Sequence, residues 1–119
     1  MRDRKQFRRW SPAAADLVGL DPLRARDLVV QCFYEAQRET IALAKQTLGM
    51  AATNEDIRAS AEGGLRMAFQ KAGADFDAPT KETLRAAVAS LVETSRAFGT
   101  PADIIAYHLK IVEGILARL

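Results

Sequence analysis

The chain has one cysteine, Cys32, and one histidine, His108, among its 119 residues. A lone thiol closes no internal disulfide, so a cross-linked secreted scaffold is excluded. Zinc and iron sites need several Cys, His or carboxylate ligands at set spacings. The Glu-x-x-His pair of di-iron bundles and the C-x-x-C-H of attached haem are both missing. No cofactor is expected. No apolar run approaches the roughly 18 residues of a membrane helix. Asn-Gly and Asp-Gly hairpin turns are absent, as is any period-two alternation of strand length. G-x-G-x-x-G and Walker patterns are absent too.

What remains is an ordinary soluble composition, 49% hydrophobic and 27% charged. A chain of this length buries about two-thirds of its unfolded surface and needs no staple. The net charge of +2 is uneven. Residues 1–10, MRDRKQFRRW, carry Arg2, Arg4, Lys5, Arg8 and Arg9 against Asp3. Residues 11–119 then hold 12 basic and 14 acidic side chains, so the body is slightly acidic. The basic start runs into Ser11, Pro12 and Asp16, not into an apolar stretch. No secretory leader and a cytoplasmic address are therefore expected. Two parts are read: a basic N-terminal segment, 1–10, and a single helical domain, 11–119.

Glycines and caps divide the body. Gly19, Gly49, Gly73 and Gly99 each follow an apolar or alanine-rich segment and can end a helix in the left-handed conformation. Ser11-Pro12 and Asp21-Pro22 place a capping oxygen before a proline suited to the first helical position. Thr53 and Thr100 each have an acid three residues on, close to a capping box, and Thr80 caps the next helix. The spacing predicts a short helix over 12–18 and long helices over 22–48, 54–72, 80–98 and 101–118. The fold class is all-α: an antiparallel bundle of four long helices with a short additional N-terminal helix. The first long helix would reach roughly 40 Å, longer than the rest, and 12–18 is expected to fold back on the excess.

Apolar stripes recur at helical spacing. Ile57, Ala61, Leu65, Ala68 and Ala72 form one, with Phe69 at its edge. Leu84, Val88, Leu91, Ser95 and Phe98 form another. The last runs from Ile104 and Ile105 through His108 to Leu119. The first long helix is apolar on two sides, with Leu28, Val29, Cys32, Phe33, Ala36, Leu43 and Ala44 on one and Leu23, Val30, Tyr34, Ile41 and Leu48 on the other. Such a helix is either central in its own bundle or shared with a second chain through Val30, Tyr34 and Ile41.

Candidate chemistry is sparse. His108 and Cys32 fall on apolar faces, where a hydrogen-bonded core histidine and an inert thiol are expected. Asp75-Phe76-Asp77 lacks the further oxygen ligands of a calcium loop and reads as a solvated turn over Phe76. Gly63-Gly64 interrupts a helix, at about 1 kcal/mol per glycine, and suggests close approach of a neighbouring backbone. The expected function is non-enzymatic: a protein–protein interaction module, as a homodimer through Val30, Tyr34 and Ile41, or with Phe7 and Trp10 as a second patch. The alternative is a nucleic-acid-binding protein gripping phosphates through Arg2, Arg4, Lys5, Arg8 and Arg9. A third is a small-ligand binder with a pocket inside the bundle.

Overall fold

The computed structural model describes residues 9–48 and 53–119, with side chains described over 9–43 and 53–119. It is all-helical, with no strand among the described residues. A short 3-10 turn spans Ala14–Leu17. Four helices follow: α1 (Pro22–Leu48), α2 (Asn54–Lys71), α3 (Lys81–Ala97) and α4 (Ala102–Leu116). They pack in a ring, with α1 on α2, α2 on α3, α3 on α4 and α4 back on α1. Short connections make successive helices antiparallel.

The local chemistry explains most boundaries. Asp21 Oδ1 accepts the backbone N–H of Arg24 at 2.9 Å, one turn into α1. Thr53 Oγ1 accepts the N–H of Asp56 at 3.0 Å at the start of α2. At α3, Thr80 Oγ1 accepts from Thr83 N–H (3.1 Å), while Thr83 Oγ1 accepts from Thr80 N–H (2.8 Å). The reciprocal box therefore uses a threonine where an acid is usual. Gly73 and Gly99 sit at φ +68° and +87°, turning the chain out of α2 and α3. Gly49 lies outside the described residues.

Two starts differ from expectation. Pro101, not Thr100, precedes α4 and offers no side-chain cap. The N-terminal segment is not helical from residue 12. It forms only the 3-10 turn, whose Asp16 carboxylate receives the Ala13 N–H at 3.0 Å. Asp16 itself competes for the backbone there, which favours a tight turn over a helix.

The core centres on Val29, Cys32, Leu65, Phe69, Leu84, Ile104 and Ile115. Phe69, expected at the edge of its stripe, is fully buried, and Phe76 meets it edge-on with ring centroids 5.6 Å apart. Phe76 is held from outside by the guanidinium groups of Arg26 (4.4 Å) and Arg66 (4.3 Å). So the 73–79 turn is a packed lid on the core, with Phe76 under it as expected. Phe98, expected on the α3 stripe, is 86% exposed. It is the C-cap of α3, where the chain departs towards Gly99 and the stripe loses its neighbour. The glycine pair also differs. A Cβ on Gly64 would stand 3.3 Å from Leu91 Cδ2, while one on Gly63 would meet nothing within 4 Å. The close approach is thus made by a side chain of α3, not by a backbone.

Candidate functional site: the cleft beneath the N-terminal strap

α1 has 27 residues, against 15 in α4. Before α1, the chain runs along the α1/α4 seam as a strap. At its far end, Arg118 Nη1 donates to the carbonyl of Leu17 (3.5 Å) and Arg24 Nη2 to that of Asp16 (3.4 Å). At its near end, Arg9 bridges α1 and α4. Its Nε donates to Glu39 Oε2 at 2.9 Å and its Nη2 to Asp103 Oδ2 at 3.1 Å. The same guanidinium lies over the Tyr107 ring, 5.1 Å from its centroid. Tyr107 Oη donates to the carbonyl of Trp10 at 3.2 Å. Trp10, Leu17 and Leu20 pack against the core. The 3-10 turn lies at the N-terminal end of α1 and so does not cover that helix's excess length, which extends beyond Glu39 at the other end. The reason is polar: the Asp16 and Leu17 carbonyls are drawn to Arg24 and Arg118.

Burial alone would lower the pKa of Arg9. Its hydrogen bonds to Asp103 and Glu39, and their charges, outweigh that and hold it above the ordinary arginine value. Glu39 is the drier partner, its side chain 11% exposed against 29% for Arg9.

Beneath the strap lies a cleft of about 140 Å³ lined by Arg9, Trp10, Glu35, Arg38, Glu39, Ala42 and His108. His108 is only 4% exposed. Its Nδ1 is 2.9 Å from the carbonyl of Ile104. A carbonyl oxygen only accepts, so Nδ1 carries a proton and donates to it. Nε2 bonds to no described residue, yet no buried side-chain nitrogen or oxygen lacks a partner among them. Nε2 therefore opens onto the cleft and not into dry core. Glu35 accepts from Gln31 Nε2 (2.8 Å) and, more weakly, from Arg38 Nη1 (3.4 Å). Glu39 commits Oε2 to Arg9.

Among the described residues, no reactive nucleophile lies beside this histidine. Cys32 comes close, but its Sγ–H donates to the backbone carbonyl of His108 at 3.3 Å. Burial, with a smaller contribution from Glu35, pushes its pKa up to about 12. A thiol held protonated is unreactive. No group of three or more metal-ligating side chains occurs among the described residues. No described helix is long and apolar enough to cross a membrane.

Of the candidate partner residues, Val30 and Tyr34 are each 7% exposed, covered by the chain's own helices. Tyr34 is further capped by Arg58, 4.2 Å from its ring centroid. Ile41 is half-buried against the same core. Val30 and Tyr34 thus pack within the chain's own bundle, with Ile41 partly buried beside them. Trp10 docks on the body. Phe7, Arg2, Arg4, Lys5 and Arg8 lie outside the described residues. Arg9 is described, and its guanidinium is committed to two carboxylates rather than offered to phosphates. Glu39, Asp103 and Tyr107, which make the strap's latch, carried no sequence signal beyond ordinary helix-surface positions. No known family model, curated protein or solved structure matches this chain.

Proposed function

We propose that this protein is a non-enzymatic interaction module whose recognition point is the strap cleft, receiving a protruding side chain of a protein partner. The observation that carries the reading is the buried His108 with Nε2 unpartnered and open to a polar cleft. A ring edge that opens onto a polar cleft can pair with a side chain presented from outside. The size fits: about 140 Å³ holds the tip of one side chain, at about 30 Å³ of liquid volume per water. Cys32, the thiol nearest the histidine among the described residues, is held protonated, which favours recognition over turnover.

The test uses the chain's single tryptophan and single histidine as reporters. A library of small polar fragments is titrated while the Trp10 indole and His108 imidazole resonances are followed. Hits that move both together are expected. A library that leaves both unmoved rejects the cleft as a recognition point.

A further inference from the structure

We infer that the strap cleft takes a neutral carboxamide, presented as the side-chain tip of an asparagine or glutamine on the partner protein. This rests on the recognition reading above and gives it a chemistry. The lining is charge-balanced: Arg9 and Arg38 stand against Glu35 and Glu39. Each cation already has a carboxylate partner in the lining, at 2.8 Å for Arg9 and Glu39 and 3.4 Å for Arg38 and Glu35. A charged ligand would upset that balance with a charge of its own, and a charge without a partner is costly away from bulk water. A neutral ligand keeps the balance.

The ligand must also be polar, because the lining has both donors and acceptors to spare. Arg38 spends one long contact on Glu35. Trp10 is bonded through its carbonyl, to Tyr107, and its indole N–H has no partner among the described residues. On the accepting side, Glu35 Oε1 receives only the long Arg38 contact, and Glu39 is engaged by described residues on Oε2 alone. A carboxamide carries an acceptor and two donors on separate atoms of one flat tip, so it can pair with both kinds of group at once. A hydroxyl puts both functions on one atom, an ammonium only donates and a carboxylate only accepts. His108 presents its Nε2 edge to the same cleft. A carboxamide meets that nitrogen in either form, since its oxygen accepts from a protonated Nε2 and its N–H donates to a bare one. Trp10 and Ala42 give the methylene stem an apolar wall.

The experiment titrates the intact protein with the Nα-acetyl N-methylamides of asparagine, glutamine, serine, leucine, lysine and glutamate, and with propionamide. The blocked compounds share one backbone, so the side-chain tip is the variable. Trp10 and His108 resonances are the readout. Propionamide and at least one of the two blocked amides are expected to shift both reporters saturably. The serine, leucine, lysine and glutamate compounds should bind about tenfold more weakly, the loss expected when one hydrogen bond to a charged group is missing. Glu35→Gln, which leaves the Arg9 latch intact, should raise the affinity of the glutamate compound, and Arg38→Gln that of the lysine compound, because each variant unbalances the lining. Ala42→Leu, which fills the mouth without altering charge, should abolish binding of the amides. A serine, leucine, lysine or glutamate compound that matches the amides would overturn the carboxamide assignment and leave the recognition reading standing. Unchanged preferences in both charge variants would overturn charge balance as the selector. Amide binding that survives Ala42→Leu would remove the cleft as its site. Propionamide binding without either blocked amide would overturn the protein source. Silence from every compound would remove both proposals.

Discussion

His108 and Cys32 share one backbone carbonyl's neighbourhood and yet behave differently. The thiol is sealed in, donating to His108 O, while the imidazole keeps one nitrogen open to the cleft. For Cys32 the sign of the pH effect follows directly. Its pKa is raised from 9.0 to about 12 in the folded chain, chiefly by burial. The folded state therefore holds a proton that the unfolded state has lost across that window. The thiol's contribution is fully present below about pH 9 and falls as pH rises towards 12. Denaturant unfolding at pH 8 and pH 10.5 should show a steeper loss in the native chain than in Cys32→Ala. Equal losses would mean that the thiol ionises freely in the fold. At the glycine pair, Gly63→Ala should stabilise by up to about 1 kcal/mol, because the helix gains propensity and its Cβ enters open space. Gly64→Ala should gain less, since Leu91 must give way. Equal melting midpoints for the two variants would remove the Leu91 contact from the account.

The strap is an element held by polar contacts at both ends and by Trp10, Leu17 and Leu20 between them. Its near end depends on one arginine and two carboxylates. Glu39 is the more buried of the two, so Glu39→Gln should loosen the strap more than Asp103→Asn, since Asp103 is itself largely exposed. Trp10 emission is expected to be blue-shifted in the native protein and to redden in Glu39→Gln with far-ultraviolet helicity unchanged. An Asp103→Asn shift larger than that of Glu39→Gln would reverse this ranking. Because exposed ion pairs weaken with salt, the Asp103 contact should be lost first as ionic strength rises.

For the whole molecule, the ring of four helices places Tyr34 in the core and Phe98 outside it. Tyr34→Ala should cost roughly 3 kcal/mol or more, as truncation of a buried aromatic does, with the sedimentation behaviour of the folded protein unaltered. Phe98→Ser should leave the melting midpoint nearly unchanged. A change of association state in Tyr34→Ala without loss of stability would instead point to Val30, Tyr34 and Ile41 as an interface between chains. An all-α bundle was legible in the sequence because its signals are local. Stripes at Leu84, Ala87 and Val88 or at Ile104, His108 and Ile115 need only 3.6-residue spacing, and Thr53 and Thr80 act within one turn. Phe98 shows the limit: its spacing is correct, but helix α3 ends there.

The cleft is a different kind of object. Arg9 meets Asp103 across 94 positions, and Tyr107 meets Trp10 across 97. No periodicity reports pairings of that span, because each partner alone is an ordinary surface residue. From the sequence, Arg9 belonged to a basic run. Only the docking of that run's end onto α1 and α4 turned it into a latch. Composition, turns and caps determined that this chain forms four helices with apolar faces inward, since propensity and burial act residue by residue along a helix. Which carboxylates face Arg9, and that His108 lines a cleft with Glu35 and Glu39, was decided by the tertiary structure, because complementarity between distant side chains exists only after the helices have packed.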